Sequence, residues 1–350
     1  MKKNILFIAP TFFGYYKEIV KSLEKKGNNV DYLCDIPSSS NIYKAISRVK
    51  RKWTKSIVNR YFNKKVIPLI TDKQYDYIFI IVGMTFSLFP EMIEKMRKQQ
   101  SNAKFIMYQW DGEENINFVK ELHEYFDKVY TFDRNDAVNN KKYNFLPLFY
   151  TNVYETIGKK ENNEYEYDVF YVGTAHPQKL KYITEMSKKL KKIYKKQYIY
   201  NYMPSILKFY YHKLTAKEYK SVKKKELHFE KMQTNQIIEH IEKTKCILDA
   251  PQKGQNGLTI RTIECLGAKR KLITTNQDIV NYDFYCPENI YVYNGEFDYN
   301  SIFFKTNYKD IDNEIYKKYL LDNWLDIILN WKTNYMKSIE KWKKVKKYFI

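Results

Sequence analysis

The chain has 350 residues, 44% of them hydrophobic, and carries 61 Lys and Arg against 40 Asp and Glu, a formal net charge of +21. Twice the usual domain length predicts two compact units, and the apolar content excludes a wholly disordered chain. The charge points to nucleic acid, an anionic membrane face or a phosphorylated substrate, although 34 Tyr beside only 10 Gly also fits a codon-composition bias that would enrich lysine for no functional reason.

The four cysteines, Cys34, Cys246, Cys265 and Cys286, are far apart with no CxxC pair. That spacing argues against a disulfide framework and a zinc finger, and suits a reduced, cytoplasmic setting. Pro10 and Gly14 break the apolar run after Met1-Lys2-Lys3, so a first strand at Ile5–Ala9 explains those letters better than a signal peptide. No stretch approaches the ~18–20 apolar residues of a membrane-spanning helix.

In chain order, short apolar runs predict strands at Ile5–Ala9, Val30–Leu33, Ile78–Val82, Phe105–Tyr108, Val129–Phe132 and Phe145–Leu148. Helical patterns lie between them at Tyr16–Lys26, Pro90–Gln99 and Phe118–Phe126. The polar stretch 151–166 reads as a linker. The rhythm restarts with strand Asp168–Val172, loop Gly173–Gln178 and helix Leu180–Tyr194, then strand Tyr198–Tyr202, helix Thr234–Lys243 and strand Cys246–Asp249. Helix Leu258–Leu266, strand Lys271–Thr275, an element at Ile290–Tyr293 and helical patterns at Asn313–Leu329 and Trp331–Tyr348 complete the chain. Alternating strands and helices predict an α/β fold of two Rossmann-like domains with an interdomain cleft. The expected division is 1–150, linker 151–166, 167–312, and C-terminal helices over 313–350.

The positive charge is concentrated. Residues 41–70 hold nine basic residues and no acidic one, residues 176–225 hold fifteen lysines against Glu185 and Glu218, and the last twenty hold seven lysines against Glu340. Two of these segments are amphipathic: Ile42, Ile46, Val49, Trp53, Ile57 and Tyr61 recur at helical spacing, as do Trp331, Tyr335, Ile339, Trp342 and Phe349. Segments 41–70 and 331–350 therefore suit an anionic bilayer surface, while packing of the same stripes on the protein core explains the letters equally well for 41–70 and better for the terminal helix. No zinc-finger spacing, RNP-like aromatic motif or KH-type loop is present, so nucleic acid is not the expected partner.

The segment that carries chemistry is Cys246–Asn276, a strand, a loop through Gly254-Gln255-Asn256-Gly257, a helix from Leu258, and a strand. Unpaired amides and the dipole at such a helix start attract phosphate. Gly257 permits close backbone approach and Thr259 can hydrogen-bond. Arg261, one turn in, can neutralise a pyrophosphate without metal, and Glu264 can accept two ribose hydroxyls. Standing alone, Arg261 and Glu264 would read as a surface i,i+3 ion pair.

Gly257-Leu-Thr-Ile-Arg-Thr-Ile-Glu264, followed by a small-residue turn and Leu-Ile-Thr-Thr, resembles the donor motif of GT-B glycosyltransferases, in particular the CgeB-like and capsule or lipopolysaccharide biosynthesis group. Tyr108-Gln-Trp-Asp111, Val129–Asp133, Phe145–Tyr150, Asp168–Thr174 and Tyr282–Tyr285 match the same group, so the resemblance spans about residues 1–330. It implies a nucleotide-diphospho-sugar as co-substrate, with Glu264 on the ribose and Arg261, Thr259 and the Gly257 amide on the diphosphate. Gln255, Leu258 and Thr262 complete that motif as donor-binding residues, and Gly173-Thr174 would border the phosphates. The acceptor would be a lipid-linked or growing surface polysaccharide on the inner face of the plasma membrane. Many retaining members place an acidic residue eight positions before the ribose-binding Glu; Asn256 stands there, which leaves a retaining mechanism unsupported.

An inverting reaction needs a base, and Asp111, just past a parallel strand, is the candidate, with an N-cap as an equal alternative. Asp133 and Asp136 are weaker choices. His176 could touch phosphate or acceptor, though a plain loop histidine fits too. There is no Walker A loop, GxGxxG or HExxH; Asp310-Ile-Asp312 matches a DxD metal motif only formally, and no metal or other cofactor is expected. The competing readings are a polyol-phosphate transferase or nucleotide-sugar epimerase on the same fold, and a non-catalytic surface protein.

Overall fold

The computed structural model describes residues 2–11, 14–160, 164–251 and 257–329. Two compact units emerge: residues 1–130 with 142–144 and 321–350, and residues 131–141 with 145–320.

The first unit opens with β1 (Asn4–Ala9), α1 (Tyr15–Lys25) and β2 (Asn29–Cys34), then α2 (Asn41–Val49), α3 (Lys55–Tyr61) and α4 (Ile67–Asp72). It continues through β3 (Tyr77–Val82), α5 (Pro90–Gln99), β4 (Lys104–Gln109) and β5 (Lys128–Thr131). Helix α6 (Arg134–Asn139), which belongs to the second unit, precedes β6 (Tyr143–Phe145), and the six strands run in the order β2-β1-β3-β4-β5-β6. The pairings β1–β2, β1–β3 and β3–β4 are parallel. All six residues of β3 are buried, as an apolar run without alternation requires when both sheet faces are covered.

The second unit contains α7 (Asn152–Lys159), β7 (Tyr167–Thr174), α8 (Pro177–Leu190), β8 (Gln197–Tyr202), α9 (Ile206–Thr215) and α10 (Thr234–Glu242). After these come β9 (Thr244–Asp249), α11 (Ile260–Gly267), β10 (Lys271–Thr274), β11 (Ile290–Val292), α12 (Ile302–Lys305) and α13 (Asn313–Lys318). Its sheet is β11-β10-β9-β7-β8 with every pairing parallel. The last described helix, α14 (Leu321–Ile328), belongs to the first unit. There Trp324 packs edge-on to Tyr108 at 4.8 Å, and Lys26 pairs with Asp326 at 2.6 Å.

Three expectations need correction. Within the expected linker 151–166, residues 152–159 form α7 with Tyr154 and Ile157 buried, and 161–163 lie outside the described residues. The change of unit falls earlier, since 131–141 and 145–150 already belong to the second one. The tail is also divided, with α13 in the second unit and α14 in the first; residues 331–350 lie outside the described residues.

In the 41–70 segment the stripe read from the sequence does not pack on the core, which takes other residues of the segment, and Tyr61 is half-buried. Tyr43, Val58, Phe62, Val66 and Ile70 enter the core, whereas Ile42, Ile46, Val49, Trp53 and Ile57 face solvent. Ser40 caps α2 by accepting the Tyr43 N–H at 3.1 Å. No described helix is long and apolar enough to cross a membrane.

Asp35, just past β2, is fully buried, and that burial pushes its carboxyl up to about 7 against weak donors in Cys34 and Thr85. A carboxyl raised on folding makes the folded state bind more protons, so stability falls as pH rises from the ordinary Asp range to about 7. Asp35→Asn should remove this fall, on the order of 3 kcal/mol by the usual conversion, in denaturant titrations at pH 4.5 and pH 8.

Candidate functional site

The second sheet has the order 2-1-3-4-5 when its strands are numbered within the unit, and its order reverses between β7 and β9. The carboxyl ends of the strands at such a point are where open α/β sheets bind ligands. There β7 ends in Gly173-Thr174 and β9 ends in Asp249.

Three charged side chains gather at this end. Lys179, in the first turn of α8, has its amine lowered chiefly by burial and further by Arg261, with Asp249 acting the other way. Its Nζ stands 5.9 Å from the Tyr171 ring centre. The Tyr171 hydroxyl is buried with no hydrogen-bond partner among the described residues, and burial raises its pKa above the ordinary tyrosine value. A methyl group at Gly173 would collide with that hydroxyl and sit 3.4 Å from the Lys179 Cε. Glycine here keeps the strand end open beside the lysine.

The loop into α11 differs from the sequence expectation. The Gly257 N–H donates to Asp133 Oδ2 at 2.9 Å, and the Asn135 N–H donates to the other Asp133 oxygen at 2.8 Å. Asp133 thus caps α6 and tethers the α11 loop at once, rather than serving as a free base. Phe132 closes against Gly257 so tightly that any Cβ there would strike its ring. Thr259 caps α11, accepting the Thr262 N–H at 3.2 Å, while its hydroxyl donates to Asp249 Oδ2 at 2.7 Å. The Thr262 hydroxyl donates to the same oxygen at 3.1 Å. Leu258 is buried. The Gly257 amide and the hydroxyls of Thr259 and Thr262 therefore have protein partners, and the cationic part of the site is Lys179 with Arg261. Gln255 and Asn256 lie outside the described residues.

Deeper in α11, Arg261 Nη1 pairs with Glu264 Oε2 at 2.5 Å, both side chains nearly covered. The Tyr154 hydroxyl of α7 donates to Glu264 Oε1 at 2.7 Å. The i,i+3 pair is buried rather than a surface pair, so removing one partner strands a charge. Tyr154→Phe should remove a donor from Glu264 and cost about 1–2 kcal/mol in chemical denaturation.

His176 is the residue before α8, and burial lowers its pKa with Lys208 and Lys179 assisting. Asp310 pairs with Lys269 at 2.6 Å and Asp312 caps α13 through the Glu314 N–H at 2.9 Å.

In the first unit Asp111 follows β4 and accepts the Met84 N–H at 2.8 Å. It does not cap the turn after it, whose N-cap is Gly112. Burial raises its carboxyl above the usual range, opposed by the Met84 N–H and Arg48.

Comparison with solved structures agrees with this architecture. An α-glucosyltransferase in complex with UDP and a 13-mer DNA superposes with TM-score 0.53 at 13% identity, covering 83% of this chain and 81% of the other. The lipopolysaccharide outer core galactosyltransferase WaaB gives 0.51 at 12% identity over 94% and 100%. The catalytic domain of starch synthase IV from Arabidopsis thaliana, bound to ADP and acarbose, gives 0.54 at 8% identity over 98% of both chains. The chain has the GT-B fold. No family model matches the sequence and no curated protein does, so the likeness to these GT-B enzymes is one of fold.

Sequence reasoning missed Lys179 and Asp249, and named Asp133 only as a weaker candidate base. Lys179 lies six residues past Gly173 in a lysine-rich stretch where one more lysine is no signal. The end of β7 is what singles it out.

Proposed function

We propose that this GT-B chain is a glycosyltransferase that moves a sugar from a nucleotide-diphospho-sugar to a surface-polysaccharide acceptor, of the capsule or lipopolysaccharide kind that the CgeB-like resemblance implies. The observation that carries the reading is the pairing of Lys179 with Arg261 at the switch point of the second sheet, with Glu264 one turn behind. As the bond from the anomeric carbon to the diphosphate breaks, negative charge grows on the leaving oxygen; two cations fixed beside it lower that barrier without reorganising. Glu264, held by Tyr154 and Arg261, is the acceptor for ribose hydroxyls. Asp111 is the proposed base for the acceptor hydroxyl in an inverting transfer, and the diphosphate is proposed to leave with no metal.

The solvent-facing Ile42, Val49, Trp53 and Ile57 among the lysines of 41–70 support docking on an anionic membrane, and a peripheral position on the cytoplasmic face is part of the same proposal. Screening UDP, GDP, ADP, CMP and their sugars by thermal denaturation tests the donor reading. A bound nucleotide at a hundredfold excess over Kd should add about 2.7 kcal/mol, and no stabilisation by any of them overturns it. Product analysis with the stabilising sugar donor then separates a new glycosidic bond from a phosphodiester or an isomerised donor. A DNA duplex belongs among the acceptors assayed, because the chain carries +21.

A further inference from the structure

Helix α9 buries Phe209 and turns Leu207, Tyr210, Tyr211 and Leu214 outward, Leu207 82% and Leu214 89% exposed. These four positions follow i, i+3, i+4, i+7, a single stripe along the helix. The inward side is already satisfied: Phe209 packs with Leu180, Met203, Tyr219 and Val222, and Ser205 accepts the Lys208 N–H at 3.1 Å. The outer stripe is thus a second apolar face on an anchored helix rather than a poorly filled core. In the sequence around it, residues 206–226 hold seven lysines against Glu218 and Glu226, with Lys217, Lys220 and Lys223–Lys225 exposed.

We propose that this stripe and its accompanying lysines form a second membrane contact, on the unit that carries the Lys179–Arg261 site, inserting leucine and tyrosine side chains among anionic lipid headgroups. Exposed tyrosine and leucine with lysines nearby in the chain match that layer, where aliphatic groups enter the acyl boundary, phenols sit at headgroup depth and lysines meet phosphate. Charge selects this occupant over a second copy of the chain, whose own lysines would be brought against these. The surface belongs to a different unit from segment 41–70, and the inference does not rest on the glycosyl-transfer reading.

The test is sedimentation of the full chain with vesicles of phosphatidylcholine, with and without about a third phosphatidylglycerol, at two salt concentrations. Leu207→Gln/Leu214→Gln should reduce partition onto the anionic vesicles roughly tenfold with an unchanged melting temperature, since both side chains face solvent. Lys223→Gln/Lys224→Gln/Lys225→Gln should weaken binding and flatten its salt dependence. A Tyr211→Trp reporter should show blue-shifted emission only with anionic vesicles. The inference is overturned if the leucine variant partitions like the parent while Val49→Gln/Trp53→Gln alone abolishes binding. It falls equally if the parent does not bind, or if the leucine variant instead dissolves a dimer seen by sedimentation velocity. Transfer to a soluble acceptor should survive in the leucine variant, so a loss here is separable from a failure of the enzymatic reading.

Discussion

Arg261→Ala is expected to lower kcat/KM for the nucleotide sugar by about 10²–10³-fold, the usual cost of removing one preorganised group from a developing oxyanion. The same change breaks a buried pair. Glu264 would keep its charge after losing the guanidinium, with the Tyr154 hydroxyl still on its other oxygen, at a cost of about 3–5 kcal/mol in stability. The two effects are separated by a double-mutant cycle. In Arg261→Ala/Glu264→Gln the stranded charge is gone, so the melting temperature should recover much of its loss. If Arg261 serves only to neutralise Glu264, turnover should recover with it. If the guanidinium acts on the leaving diphosphate, stability returns and kcat does not. Lys179→Ala should behave differently, because its amine is buried near a second cation that opposes its charge. Its loss should lower turnover without lowering stability, and a combined Arg261→Ala/Lys179→Ala variant that is no worse than either single change would argue that one group alone meets the phosphate.

Much of the architecture was legible from apolar runs. Strand β1 was expected at Ile5–Ala9 and runs from Asn4 to Ala9; β3 was expected at Ile78–Val82 and begins one residue earlier. A parallel strand covered on both faces has only one way to read. Helix α7 escaped notice because its burial rests on Tyr154 and Ile157, three apart in a polar run that continues into Lys159-Lys160-Glu161. Two apolar positions give no period.

Within the site, the Gly257–Glu264 motif correctly marked the helix, and Arg261 and Glu264 are together in it. What the motif could not carry is where the neighbouring side chains spend their hydrogen bonds. Asp133 is 124 positions from Gly257 and comes to its amide only through the fold. Asp249, read as the end of a strand, takes both threonine hydroxyls that the motif seemed to offer a phosphate. Local sequence names a helix start; the sheet order decides which groups converge on it.

Asp111→Asn should reduce kcat by about 10²–10⁴-fold, the range for a positioned base, with a smaller change in KM. The pH dependence gives the sharper test. Burial holds this carboxyl above the usual Asp range, while the Met84 N–H and Arg48 limit the rise. The base must be ionised, so kcat/KM in the parent should climb with pH through that raised pKa, and the asparagine variant should lose the limb entirely. Stability moves in the opposite sense. A group with a raised folded pKa binds more protons folded than unfolded, so the parent should lose stability as pH rises from the ordinary Asp value to the raised one. Asp111→Asn should be free of that loss and slightly more stable at neutral pH. A carboxylate kept only for the Met84 hydrogen bond would behave otherwise, because its removal would cost stability without touching the pH–rate profile. Gly83→Ala supplies an independent probe, since its methyl would stand 3.0 Å from Asp111 Oδ2. Pressing on the carboxylate from that side should lower kcat while the acidic limb persists, shifted but present, as expected of a displaced base rather than a missing one.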